Sequence, residues 1–203
     1  ICAVLRLIGV NINTVPVLDI SKRNTHKVIG TRSFSEDKSI IKTLGKLCCD
    51  TYKFNKISTV IKHIPGHGSS NLDSHKSTPK VNLSYKELLN NDFNCFKNVN
   101  SLLAMTAHIV YTKIDPYNVA THSKLIINNI IRKKIGFKGI LLSDDIAMKS
   151  LKFDLVTNAI KSLNAGCNLV LYCGGNIIDS KKLLKHMPMI DEFTIKKTSE
   201  FYK

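Results

Sequence analysis

The stretch Lys62–Pro79, KHIPGHGSSNLDSHKSTP, gathers histidines, an aspartate and hydroxyls between two prolines. It follows the apolar run Ile57-Ser58-Thr59-Val60-Ile61, so a polar loop leaves an apolar strand. Gly66 and Gly68 give that loop backbone freedom, and Pro65 and Pro79 resist continuation as helix or inner strand. Loops on a rigid scaffold often carry function. Within it, Asp73 and His75 stand two residues apart. A carboxylate beside an imidazole orients the ring and favours its charged form, which makes a proton donor and acceptor. An isolated D-x-H is more often a pair of solvated loop residues; the adjoining PGHG and the position at a strand end favour chemistry here. A second acidic pair, Asp144-Asp145, ends the run Gly139-Ile140-Leu141-Leu142-Ser143. Such a pair can bind a divalent metal, supply a nucleophile, or cap the next helix, and only one member need be catalytic. His63, His67, His75 and His108 are numerous enough to hold zinc. None has H-E-x-x-H or H-x-H spacing, so no metal or other cofactor is expected. Lys62 and Arg32 suit anchoring of substrate hydroxyl or carboxylate oxygens, although a single basic residue is commonly plain surface charge.

Five short strands must position these groups. The pattern predicts them at Ile12–Leu18, Ile57–Ile61, Ser101–Thr106, Gly139–Leu142 and Asn168–Tyr172. Pro16 costs the first one ladder donor. Residues 1–9 read as a helix end. Helices are predicted from Ser35, as cap, to about Lys53, after the capping box Ser84-x-x-Glu87, over Ser123–Ile135 with Gly136 as its stop, over Leu151–Ala165, and over residues 177–188. Residues 189–203 receive no assignment. Strand–helix alternation argues for a parallel sheet with right-handed crossovers, and strands apolar on both faces argue for burial on both sides. Polar residues follow strand after strand: Asp19, then Lys62 and His63, then His108, then Asp144 and Asp145. A β/α barrel gathers catalytic groups from several strands at that edge, whereas an open doubly wound sheet uses one switch point. The pattern therefore favours an α/β fold, a partial (β/α)8 barrel of about five units. No G-x-G-x-x-G or Walker motif supports nucleotide binding.

The chain of 203 residues is long enough for one sizeable core and one domain, 1–203. A transmembrane helix needs about 20 apolar residues and none occurs. The opening ICAVLRLIGV has no basic leader or cleavage site and does not read as a signal peptide. The net charge of +15 comes from lysines scattered among Ile and Asn, which fits a compositional bias better than the localised footprint of a nucleic-acid binder. Six cysteines without a C-x-x-C pair suggest buried thiols in a reducing compartment, not a disulfide framework. No nucleic-acid or membrane partner is expected, and the expected location is the cytoplasm.

The combination KHIPGHG, DSH, TAH and GILLSDDIAM resembles the bacterial β-N-acetylhexosaminidases of glycoside hydrolase family 3, most closely those that act on peptidoglycan fragments in cell-wall recycling. INTVPVLDI, IGTRSFSED and AGCNLVLYCGGN also fit, so the resemblance runs from about Leu5 to Leu184. It implies a β/α barrel and a retaining double displacement. Asp144 would be the nucleophile, and His75, paired with Asp73 on a mobile loop, the general acid/base. Arg32, Lys62 and His63 match positions that contact N-acetylglucosamine. Met148 is expected to line the sugar site or pack beneath it, and His67 to play a supporting part. The implied substrate is a muropeptide carbohydrate. Family members carry about three further strands before the point where this sequence opens, so the chain is expected to be incomplete at its N-terminus and to expose two sheet edges, where it could self-associate or accept a complementing chain. Another family 3 activity such as β-glucosidase, a metal-dependent hydrolase and a non-catalytic remnant are the competing readings.

Overall fold

In a computed structural model, residues 1–22, 29–70, 74 and 77–199 are described. The central sheet has five strands in the order β1 (Ile12–Asn13), β2 (Ser58–Ile64), β4 (Leu103–Thr106), β6 (Ile140–Asp145) and β7 (Leu169–Leu171). Every neighbouring pair is parallel. A small parallel ladder, β3 (Lys80–Val81) with β5 (Val110–Tyr111), ties the long loop after β2 to the loop after β4. The helices are α1 (Cys2–Leu7), α2 (Lys38–Phe54), α3 (Tyr85–Asn90), a π-helix at Ile126–Ile135, α4 (Leu155–Ala165), α5 (Ile177–His186) and α6 (Glu192–Thr198). The sheet curls as part of a β/α barrel.

Strand alternation divides the core into an outer and an inner layer. Ile61, Ala104 and Leu141 belong to the cluster that also holds Ile41 and Cys49 of α2, Leu88 of α3 and the isoleucines of the π-helix. Their neighbours Val60, Leu103, Met105, Ile140 and Leu142 form a separate cluster with Ile12, Leu169 and Leu171. The first set is the helix-covered face and the second the barrel interior. At burial of about 1.5–3 kcal/mol per large aliphatic side chain, both faces contribute to stability. The two edges are unequal to the centre: among the described residues β1 pairs only with β2, and β7 only with β6. Ile1, Leu7 and Ile8, in and next to α1, and Ile177, Ile178 and Leu184 of α5, are exposed.

Several expectations are corrected. The first strand holds a regular ladder for only two residues: Val15 N–H turns back to Asn13 O at 2.9 Å, and Pro16 has no N–H to donate. Val15–Leu18 nonetheless follows β2, with Lys62 N–H donating to Pro16 O at 3.2 Å and Leu18 N–H to Lys62 O at 2.8 Å. β2 runs on through Ile64, and β6 through Asp145, so Lys62, His63, Asp144 and Asp145 lie in strands and not after them. The cap of α2 is Asp37, whose side chain accepts from Ser39 N–H at 2.7 Å; Ser35 stands two residues earlier and accepts from Asp37 N–H. Asp154 caps α4, which begins at Leu155 and not Leu151. The 123–135 helix is a π-helix from Ile126, in a run of β-branched Ile and two Asn of low α propensity. The unassigned tail contains α6, capped by Asp191. The Ser84–Glu87 capping box and the left-handed Gly136 stop (φ 82°) are as predicted.

Gly68 shows how closely the segments pack. A Cβ there would overlap the backbone of Ile20, so the turn after β2 and the segment after β1 touch without a side chain between them. Gly68→Ala is expected to lower stability by about 1–3 kcal/mol through overpacking. Urea denaturation should show a lower midpoint at unchanged m-value.

Candidate active site

The site is built around a buried carboxylate. Asp19, 1% exposed, lies where the segment after β1 reaches the end of β2. Its Oδ2 accepts from His63 Nδ1 at 2.6 Å and from the His63 backbone N–H at 3.1 Å. Its Oδ1 accepts from the His67 backbone N–H at 2.6 Å. Burial pushes the Asp19 carboxyl up, but the charge and hydrogen bond of His63, followed by those of His67, outweigh it and hold the group below the ordinary aspartate value. Such a buried group is stable only because its partners satisfy it.

The opposite side of His63 faces the end of β6. His63 Nε2 lies 4.0 Å from Asp144 Oδ2. Ile140 and Leu142 point into the barrel, and Asp144 follows them at the strand end, where the register with β7 is irregular between Leu142 and Asp145. On β2 the same logic would place Lys62 inward and His63 outward. A register irregularity between Lys62 and Ile64 intervenes, and Ile61 and Ile64, three apart, both enter the helix-facing cluster. Lys62 and His63 are thereby both left for the mouth. Lys62 is half-buried; burial, then the nearby Arg32 guanidinium, lower its pKa, against the opposing pull of Asp144 and Asp19. Arg32 is exposed at the end of a short 3-10 turn, Gly30–Arg32. Lys62, Arg32, His63 and Asp144 thus lie near one another at the mouth.

The turn after β2 is pinned from beneath as well. Asp92 accepts from the Ser69 backbone N–H at 2.9 Å, the Ser69 hydroxyl at 2.7 Å and the Lys22 ammonium at 3.4 Å. The buried Tyr111 hydroxyl donates to Gly66 O. His67 packs edge-on to His63 with ring centroids 5.8 Å apart, and its Nε2 is 3.3 Å from Ser74 Oγ. Burial lowers its pKa, which agrees with a supporting role. His108, also predicted at the mouth, is a brace: its Nε2–H donates to Asp145 O at 3.1 Å, so its Nδ1 accepts from the Thr121 hydroxyl at 2.7 Å. Asp145 Oδ1 accepts from Ala147 and Cys173 N–H, both at 3.1 Å, and so ties the loops after β6 and β7. It has a structural job while Asp144 faces the mouth. Met148 is buried, donates its N–H to Asp145 O at 3.1 Å, and borders a cavity of about 320 Å³ with Tyr172 and Asp179. A larger cavity of about 990 Å³ lies at the other end of the strands, against Ser58, Ser101 and Gly139, away from the carboxylates.

Asp73 and His75, the predicted acid/base pair, lie outside the described residues. Among those described, no group of three or more His, Cys, Asp or Glu could hold a metal ion. Asp19, which organises these contacts, had no role assigned from the sequence. Its sequence signal was an acid directly after an apolar run, and its partner stands 44 residues away.

A parallel barrel segment with an inward carboxylate, an adjoining histidine and two basic anchors at the strand ends is an arrangement with known relatives. The profile described as "Glycosyl hydrolase family 3 N terminal domain" matches residues 2–195. The chain belongs to glycosyl hydrolase family 3. A protein of Actinobacillus succinogenes named "Beta-hexosaminidase" is 34% identical over 197 residues, covering 92% of this chain and 56% of its own. One of the same name from Haemophilus influenzae is 33% identical over 192 residues, covering 89% and 54%. The chain thus spans about half the length of these relatives. Among solved structures, NagZ from Neisseria gonorrhoeae in complex with N-trifluoroacetyl-D-glucosamine superposes with a TM-score of 0.87 at 27% identity, over 98% of this chain and 59% of that one. A family 3 β-N-acetylglucosaminidase from Paenibacillus sp. str. FPU-7 has a TM-score of 0.88 at 24% identity, over 98% and 40%, and supports the fold.

Burial disfavours the charged form of three histidines in this family 3 chain. Burial lowers His67, His108 and His122, the last to about 4. In the unfolded chain each would titrate near ~6.5. Below that value the unfolded state binds more protons than the folded one, so stability rises with pH there. The contribution is complete above about pH 6.5 and is lost as pH falls toward 4. Urea midpoints measured from pH 7 to 5 should decline, and the decline should be shallower in His122→Gln, which removes one of the three groups.

Proposed function

We propose that this chain carries the nucleophile and sugar anchors of a retaining β-N-acetylglucosaminidase that removes terminal N-acetylglucosamine from muropeptides during cell-wall recycling in the cytoplasm. The observation that carries the reading is Asp144 at the mouth, 4.0 Å from His63 Nε2 and beside Lys62, in a chain with β-hexosaminidase relatives. Asp144 attacks the anomeric carbon while the glycosidic C–O bond breaks. The leaving oxygen takes a proton from His75, which Asp73 orients. Water then gives a proton to His75 and attacks the same carbon, and Asp144 is released. Arg32, Lys62 and His63 hold the sugar oxygens, and Met148 packs beneath the ring. The reaction needs no metal or organic cofactor.

The chromogenic N-acetyl-β-glucosaminide is the direct test. Purified protein should hydrolyse it in preference to the matching β-glucoside. Asp144→Ala should lose at least about 10³-fold in kcat, as expected for loss of a covalent nucleophile. His75→Ala should lose about 10²–10⁴-fold. Turnover unchanged in Asp144→Ala would overturn the assignment, and a preference for the glucoside would favour the β-glucosidase reading.

The open edges are part of the same proposal. β1 and β7 are edge strands among the described residues, and Ile1, Leu7, Ile177 and Leu184 are exposed. Parallel edges of this kind pair with further polypeptide, through self-association or a complementing segment. Light scattering should find an assembly larger than 22.7 kDa, and Leu7→Lys with Leu184→Lys should weaken it. A strictly monomeric protein with an unaltered sheet would count against edge pairing.

A further inference from the structure

We propose that Asp19 is a positioning residue that fixes the proton of His63 on Nδ1, so that Nε2 alone is free to exchange hydrogen bonds at the mouth beside Asp144. The proposal rests on the glycosidase reading for its purpose, though not for its geometry. Asp19 is a buried carboxylate and can only accept. The His63 Nδ1–Asp19 Oδ2 distance of 2.6 Å therefore requires a proton on Nδ1. That holds for the neutral ring and for the imidazolium alike. The two backbone N–H groups that also reach Asp19, from His63 and His67, leave the carboxylate no freedom to turn away. Nε2 is left as the ring atom open to the mouth, and it is aimed at Asp144 Oδ2, 4.0 Å away. This gap is too long for a direct hydrogen bond. A sugar hydroxyl that donates to Nε2, or an oxygen that accepts from it, would be held at the ring's anomeric side.

The other groups around His63 do not compete for Nδ1. His67 meets the ring edge-on, with centroids 5.8 Å apart, and its own Nε2 is directed to Ser74. The pairing is thus one carboxylate to one ring nitrogen. Second-sphere carboxylates fix histidine tautomers in metal sites by the same means; here the free nitrogen would face a sugar in place of a metal ion.

The test reads ring nitrogens directly. In ¹⁵N-labelled protein, long-range ¹H–¹⁵N spectra assign the His63 tautomer, with His63→Gln identifying its signals. The wild-type neutral ring should carry its proton on Nδ1, and in Asp19→Ala the population should move toward Nε2–H. N-acetylglucosamine added to the wild type should shift His63 Nε2 far more than Nδ1. Kinetically, Asp19→Asn should raise KM for the N-acetyl-β-glucosaminide about tenfold, which corresponds to ~1.4 kcal/mol, with a smaller change in kcat. An amide NH2 cannot accept from all three donors, but it keeps the shape. A wild-type His63 protonated on Nε2 in its neutral form would overturn the proposal outright, whether or not either variant folds. Absence of turnover with the Nδ1–H form intact would instead sink the glycosidase reading and leave the tautomer assignment standing.

Discussion

The buried carboxylate of Asp19 is the constraint on which the rest of the site depends. It lies at the junction between the segment after β1 and the end of β2, and it takes three donors from His63 and His67. Removing a carboxylate from water is costly unless every acceptor position is used. The cost is met here by donors that the loop must supply at fixed places. The same bonds that make the charge tolerable therefore dictate where the imidazole stands. The Gly68 turn can approach Ile20 only because it lacks a side chain, and Asp92 holds the next residue, Ser69, from the other side. A short stretch of chain is thus pinned by two aspartates, and the histidine between β2 and that turn has little room to move.

Period-two alternation converts a parallel sheet into a chemical surface. Within each central strand one set of side chains meets helices and the other fills the barrel interior. When the inward set passes the end of the apolar layer, its next member is at the mouth. Asp144 arrives there after Ile140 and Leu142, where the register of β6 with β7 is irregular between Leu142 and Asp145. His63 arrives by an interruption, the irregular register between Lys62 and Ile64. Strict alternation could deliver only one of two adjacent residues. The irregularity is what allows the basic anchor Lys62 and the ring of His63 to serve the same face, and bulged registers beside functional sites are a recurrent device for re-aiming a side chain.

Much of this was legible in the sequence, for identifiable reasons. Apolar runs separated by helical periodicity marked a parallel α/β sheet, and polar residues at run after run marked its working edge. Ser84 and Glu87, and Gly136, gave reliable boundaries because their signals are local. What escaped was non-local. The pairing of Asp19 with His63 spans 44 residues and no periodicity encodes it. The ends of β2 and β6 were set too early, because Lys62 and Asp144 are charged and a hydrophobicity pattern stops at charge even where the ladder continues. The β3–β5 ladder is two residues long on each side, too short to carry a pattern. Asp145, which reads as a twin of Asp144, is distinguished only by the Ala147 and Cys173 amides that it accepts from.

The global charge and the local site follow different rules. The chain carries 30 basic residues against 15 acidic ones, yet the groups that organise the mouth are carboxylates. Screening confines each surface lysine's influence to about a Debye length of ~8–10 Å, so the scattered excess acts on solubility and long-range attraction and not on a particular bond. Asp19 and Asp92 escape that screening by burial, 1% exposed each, and there a single donor matters more than many distant charges. The sign of the site is accordingly set by a few short contacts. Lys62 illustrates the balance: burial and Arg32 disfavour its charge while Asp144 and Asp19 favour it. A mouth with paired cations beside the Asp144 carboxylate is suited to a neutral, hydroxyl-rich ligand, which can donate to the acid and accept from the bases without bringing a charge of its own into the balance.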